Sequence, residues 1–330
     1  MKIALDAMGG DYAPKEIVFG ALDVAPILHH DLILVGDPHA IHELLPKACP
    51  SNIDIHPTSE VIEMHEKPLD AIRKKRDSSL VVGAELVKQG RAACLVSAGN
   101  TGAATAACLL SWRQMHGFHR PAIASEFPGK HRNFLLLDAG ASPDVEPEHL
   151  VEFALMGRAY AEKIMGRPDP KVRLLNIGEE EGKGNAFTKQ AFNLLSRHEW
   201  FDGNIEAKEM FKSDCDVVVC DAFVGNILLK TAEGVADLIV DLIREAVPVN
   251  KLAQLPYLPM KGLLRRLWAR IDYAEIGGSP LLGLNGLCII CHGRSKAKAI
   301  RSALLQAQKA LDNRLVEGSM EILSQTLEVK

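Results

Sequence analysis

Short apolar runs alternate with amphipathic stretches along almost the whole chain. Ile3–Asp6, Leu32–Gly36, Asn52–His56, Cys94–Ser97, Phe134–Asp138, Val172–Ile177, Val217–Cys220 and Leu287–Cys291 each read as a strand. Between them, Ala13–Leu28, Leu80–Gln89, Pro147–Met165, Ala186–Arg197 and Asn226–Ala246 carry apolar residues at helical spacing. Apolar strands joined by helical crossovers make a parallel sheet covered on both faces. The pattern therefore predicts an α/β protein, a three-layer α/β/α arrangement around a mostly parallel sheet. No fixed-period repeat or low-complexity linker interrupts it, so residues 1–330 are expected to form a single α/β/α domain, with a lobe around the C-terminal third.

Ligands of such sheets bind beyond the carboxyl ends of the strands, and the unusual residues of this chain gather there. The strand ends carry Asp6-Ala7-Met8-Gly9-Gly10-Asp11, Ser97-Ala98-Gly99-Asn100-Thr101-Gly102-Ala103, and Asp138-Ala139-Gly140-Ala141-Ser142. Further along stand Asn176-Ile177-Gly178 running to Lys183-Gly184-Asn185, Asp221-Ala222-Phe223-Val224-Gly225-Asn226, and His292-Gly293-Arg294-Ser295. Turn chemistry alone accounts poorly for six polar, glycine-bearing loops at equivalent strand ends. The second is the most informative: small residues leading a strand into a helix bring free N–H groups close to an anion. It matches neither G-x-x-x-x-G-K-[ST] nor G-x-G-x-x-G, which disfavours a nucleotide.

Composition narrows the field. Hydrophobic residues make up 47% and charged residues 24%, ordinary for a globular protein, and the net charge of −4 gives no electrostatic case for nucleic acid. No signal-peptide pattern opens the chain, no apolar run reaches the ~18–20 residues of a membrane span, and the odd count of 7 cysteines argues against a disulfide framework. A cytoplasmic setting is expected. Cys288 and Cys291 form C-x-x-C within a strand, where residues three apart face opposite ways, so they are read as buried apolar residues rather than metal ligands.

The motifs quoted above, extended by Val218-Val219-Cys220-Asp221 and by Gly277-Gly278, resemble the bacterial phosphate acyltransferases in order and across nearly the full length. The resemblance implies a fold like that of isocitrate/isopropylmalate dehydrogenases and phosphotransacetylases. It also implies transfer of an acyl group from acyl carrier protein to inorganic phosphate for phospholipid synthesis, with no cofactor and no metal. A homodimer, peripheral contact with the inner face of the cell membrane, and a downstream glycerol-phosphate acyltransferase belong to the same expectation. A nicotinamide-dependent dehydrogenase of the related fold and a non-enzymatic membrane scaffold are the competing readings. This chain departs from the family's usual sequence at Ser142, where asparagine is usual, and at Ala222, where glycine is usual.

Attack of phosphate on a thioester needs an anion pocket, oxyanion donors and help for the departing thiolate. Under the resemblance, Ser97, Gly99, Asn100, Thr101 and Gly102 hold phosphate, and Lys183 supplies a cation. Asn185 and Asn226 are donors, and His292 and Asp221 complete the catalytic set. Asp6 and Asp138 support it, although a strand-end aspartate serves equally as a helix cap. Arg73, Lys74 and Lys75 read as a solvated face and, given the resemblance, as a docking surface for an acidic carrier. Near 248–273, Leu263, Leu264, Leu267 and Trp268 form the apolar stripe of a basic amphipathic segment suited to a membrane interface, a dimer or a core.

Overall fold

The computed structural model describes residues 1–246, Gly262 and residues 277–328. The expected segment near 248–273, with Leu263, Leu264, Leu267 and Trp268, lies outside the described residues. All eight expected strands form: β1 (Lys2–Asp6), β2 (Asp31–Gly36), β3 (Ile53–Pro57), β4 (Cys94–Ser97), β7 (Phe134–Leu137), β8 (Val172–Asn176), β10 (Val217–Val219) and β12 (Leu287–Ile290). Four more join them: β5 (Ala122–Ile123), β6 (Ser125–Phe127), β9 (Phe201–Glu206) and β11 (Ser279–Leu282).

The α/β class holds, but the strands form two sheets rather than one. Seven strands run in the order β3-β2-β1-β4-β12-β11-β5 and five in the order β6-β7-β10-β8-β9. Pairing is parallel throughout, except where β11 meets β12 and β5 and where β6 meets β7. The chain leaves the first sheet at Ile123 and enters the second at Ser125, and Ser125 Oγ lies 2.9 Å from Ser279 Oγ across the junction.

Helices cover both faces of the first sheet, as the period-2 alternation of its strands requires. Ile3 and Leu5 pack with Ile17 and Val18 of α1 (Lys15–Val24), and with Ile300 and Leu304 of the penultimate helix (Ala297–Asp312). Ala4 and Leu95 face the other way. They pack on Leu80 and Ala84 of α4 (Ser79–Lys88), and on Ala103, Ala104 and Ala107 of α5 (Thr101–Trp112). The short α2 (Pro38–His42) and α3 (Pro68–Lys74) complete this part. Cys288 belongs to one face and Cys291 to the other, both free thiols.

On the second sheet, Leu135, Leu174 and Val217 pack beneath α6 (Pro147–Lys163) and α7 (Ala186–Leu195), while Leu136 and Val218 face Met210 of α8 (Ala207–Met210). The 25-residue α9 (Ala222–Ala246) follows β10. The helix at Ala297–Asp312 is α10, and α11 (Leu315–Glu328) ends the described chain.

Candidate active site

The strand order places β1 beside β4, with α1 and α5 leaving to opposite faces, so a crevice opens where their loops diverge. Asp6 anchors that crevice. Its carboxylate is 1% exposed and accepts from Ser79 Oγ (2.5 Å), Ser97 Oγ (2.7 Å) and the Met8 N–H (3.3 Å). Burial raises its pKa from the ordinary value, and those donors pull the other way. Ser97 Oγ in turn accepts from the Gly99 N–H (3.1 Å). A side chain at Gly9 would overlap the Asp6 carboxylate, and Gly10 holds φ +111°, so both glycines are required by the turn. The Asp11 N–H donates to the Gly293 carbonyl (2.8 Å), which joins the first loop to the one after β12.

Asn100 caps α5. Its Oδ1 accepts from the Ala103 N–H (3.0 Å), and its Nδ2 donates to the carbonyls of Met64 (2.9 Å) and Glu66 (3.0 Å). The side chain is thereby occupied in building the turn, so the phosphate contact expected of it is not available. Ser97 is likewise spent on Asp6 and Gly99. What the turn presents outward is backbone. Thr101 and Gly102 are exposed, and as the first two helical residues their N–H groups have no acceptor within α5.

The loops of the second sheet form another group. Asp138 Oδ1 accepts from the N–H groups of Ile123, Gly140 and Ala141 (2.9 Å each), and Oδ2 from that of Ser142 (2.8 Å). It is a fully buried turn hub tying β7 to β5, and burial raises its pKa against those four donors. Ser142 Oγ donates to the Pro121 carbonyl (2.8 Å). Asp221 Oδ1 accepts from the Val224 N–H (2.9 Å) at the start of α9. Asn185 Oδ1 accepts from the Thr188 N–H (2.9 Å) at the start of α7, so both side chains cap helices. Lys183 is half exposed, with Nζ 3.8 Å from Glu180 Oε1. Its carbonyl accepts from Asn176 Nδ2 (3.2 Å), which holds the loop onto the sheet end. Asn226 is exposed beside Gly140.

The two groups are linked by α9. It starts against the Asp138 loop, and seven residues past Asn226, about 10 Å along the axis, Glu233 faces His292. Glu233 Oε2 lies 2.9 Å from Lys230 Nζ and 3.8 Å from His292 Nε2. The Arg294 N–H donates to His292 Nδ1 (3.1 Å), so a neutral ring carries its proton on Nε2. Burial lowers the pKa of His292, helped by Lys230 and Arg294 and opposed by Glu233 and Asp11. The sequence pattern places Arg294 in the strand-end loop without a role of its own, and it singles out neither Lys230 nor Glu233. Lys230 and Glu233, the ninth and twelfth residues of α9, lie inside a helix where periodicity marks them as surface, and no local pattern singles them out.

The family model for the fatty acid synthesis proteins matches residues 1–317. The chain belongs to this family. It is 49% identical over 325 residues to the phosphate acyltransferase of Heliobacterium modesticaldum, covering 97% of each chain. It is 47% identical over 320 residues to that of Desulfitobacterium hafniense, covering 96% of each. The family makes the chain an acyl-transferring enzyme. Its fold is shared with a phosphotransacetylase from Streptococcus pyogenes (TM-score 0.61, 18% identity, 94% of each chain). It is also shared with a 4-hydroxythreonine-4-phosphate dehydrogenase from Klebsiella pneumoniae (TM-score 0.51, 12% identity, 98% and 99% of the chains).

Of the expected docking residues, Lys75 is engaged within the fold, its Nζ 2.6 Å from Glu66 Oε2 and donating to the Val61 carbonyl (2.7 Å). Arg73 and Lys74, at the end of α3, are exposed. Among the described residues no helix is long and apolar enough to cross a membrane, and no cluster of metal-binding side chains forms.

Proposed function

We propose that this enzyme transfers a fatty acyl group from acyl-[acyl-carrier-protein] to inorganic phosphate, making acyl phosphate for phosphatidic acid synthesis. A phosphate oxygen attacks the thioester carbonyl, the C–S bond of the tetrahedral intermediate breaks, and the carrier leaves as its thiolate. The observation that carries this reading is the β4–α5 turn. It leaves the N–H groups of Thr101 and Gly102 without an acceptor in α5 at a helix N-terminus, and it lacks the fingerprint of a nucleotide site.

In this reading the N–H groups of Thr101 and Gly102 hold phosphate. His292 presents Nε2–H to the same crevice, oriented by Arg294 and Glu233. Lys230 and Arg294 add the positive charge that favours a dianionic nucleophile. Lys183, Asn226 and Nδ2 of Asn185, at the neighbouring sheet end, face the thioester and its oxyanion. The enzyme works as a homodimer at the inner face of the membrane and hands acyl phosphate to a glycerol-phosphate acyltransferase. Val235, Leu238, Ile239 and Leu242 support the dimer, since they leave an exposed apolar stripe on α9.

The deciding experiment mixes the enzyme with acyl carrier protein thioester and follows free carrier thiol with and without phosphate. Phosphate-dependent release is expected, with acyl phosphate trapped by hydroxylamine. Release that ignores phosphate overturns the acceptor assignment, and release that occurs only from a nonprotein thioester overturns the donor assignment.

A further inference from the structure

On the outer side of the helical layer, α3, α4 and α5 enclose a groove of about 450 Å³. This lies within the roughly 300–1,000 Å³ of small-molecule sites. Ile72, Val81, Val82, Leu86, Ala107 and Leu110 line it, and Leu110 is 63% exposed. Arg73, Arg76, Arg91 and His56 stand around it. The carboxylate among them, Glu85, is already engaged, 3.5 Å from Lys88 Nζ and accepting from Gln89 Nε2 (3.2 Å). Among the described residues Arg73, Arg76 and Arg91 make no ion pair.

This groove is not the crevice described above. Leu110 lies nine residues beyond Thr101, about 13 Å along α5. An apolar floor beneath uncompensated guanidinium groups is complementary to one kind of ligand. We infer that the groove binds a single-chain amphiphile whose headgroup is a carboxylate or a phosphate. Its chain lies along Val81, Leu86, Ala107 and Leu110, and its head is forked by Arg73 and Arg76. Planar guanidinium groups match both headgroups bidentately, which an ammonium does not. The lining contains no phenylalanine, tyrosine or tryptophan, and the His56 imidazole alone makes a poor stacking platform for successive bases, so a nucleic acid strand is a poor fit. The inference does not rest on the proposed reaction: the groove shares Arg73 with the expected carrier-docking surface, whereas Arg76, Arg91 and Leu110 belong to the groove and not to that surface.

The test is calorimetric titration of the full chain with decanoate, decyl phosphate, decanol and inorganic phosphate, each below its aggregation threshold. Saturable binding of both anionic amphiphiles is expected, at least tenfold tighter than decanol or inorganic phosphate. The ratio between them identifies the preferred headgroup. Arg73→Glu combined with Arg76→Glu, both exposed, is expected to weaken both affinities at least tenfold with an unchanged melting midpoint. Leu110→Gln weakens the same ligands from the apolar side and serves alone if the double variant does not fold. Absence of binding overturns the inference. So do decanol binding as tightly as decanoate, and affinities unaltered by these substitutions, which would place the ligand elsewhere.

Discussion

The loops after β1 and β4 differ in character from the loop after β8. At the seven-stranded sheet, the loops after β1 and β4 are knitted around a buried carboxylate: Asp6, Ser79, Ser97 and Gly99 form one chain of hydrogen bonds. At the five-stranded sheet, the loop holding Lys183 and Asn185 is exposed and held chiefly by Asn176 and Asn204. The first arrangement fixes backbone donors before any ligand arrives, which suits a small anion of invariant shape. The second leaves long side chains free to reorganise around a bulkier partner. Rigidity and adaptability are thus divided between two sheet ends, and α9 spans them.

Breaking the buried half should have the largest effect. Asp6→Ala strands the hydroxyls of Ser79 and Ser97 and the Met8 N–H without their acceptor. At about 1–3 kcal/mol for each unsatisfied buried group, the three donors together predict a loss of roughly 3–9 kcal/mol in unfolding free energy, with activity abolished. Denaturant titration of the purified variant measures it. A change below about 1 kcal/mol would show that Asp6 is not the anchor.

The next substitution separates the turn's backbone from its side chains. Thr101 is the first residue of α5, and Asn100 before it holds φ −59° and ψ 112°, which a following proline accepts. Thr101→Pro therefore removes one outward N–H and leaves the helix intact. A charge-assisted hydrogen bond contributes about 1.5–3 kcal/mol, so KM for phosphate should rise roughly 10- to 100-fold, while Thr101→Ala stays near wild type. Equal behaviour of the two variants would contradict a backbone-built phosphate site. On the adaptable half, Lys183→Ala should cut turnover at least tenfold yet shift stability by no more than about 0.5 kcal/mol, as expected for an exposed position.

The same contrast decided what the sequence disclosed. Strands such as Leu32–Gly36 were legible because burial on both faces leaves a continuous apolar run. β5, β6 and β11 span two to four residues and pair antiparallel at the junction, too short to show a period. β9 was hidden by Asp202, Gly203 and Asn204. The division into two sheets depends on which strands pair, which no local pattern encodes. In the site, glycines and aspartates at strand ends marked the loops correctly. Residue type did not distinguish a ligand contact from a cap: Asn100, Asn185 and Asp221 each accept a hydrogen bond from the first turn of a helix. Lys230 and Glu233 were invisible because only the fold brings α9 over the β12 loop.

The smallest effect tests that junction. With its pKa lowered from 6.5 in the folded state, His292 is neutral at neutral pH. The unfolded chain then binds a proton more readily, so stability falls as pH drops below about 6.5 and the loss levels off beneath the folded pKa. Protonation also places an N–H on Nδ1 against the Arg294 N–H, setting donor against donor. An NMR titration of the ring should give a midpoint below 6.5. Lys230→Met removes a repelling charge and should raise that midpoint, whereas Glu233→Gln removes an attracting one and should lower it further. Shifts of a few tenths of a unit in opposite directions are expected, with the acid limb of the activity profile moving in step. Identical shifts, or none, would mean that α9 does not couple the two halves through His292.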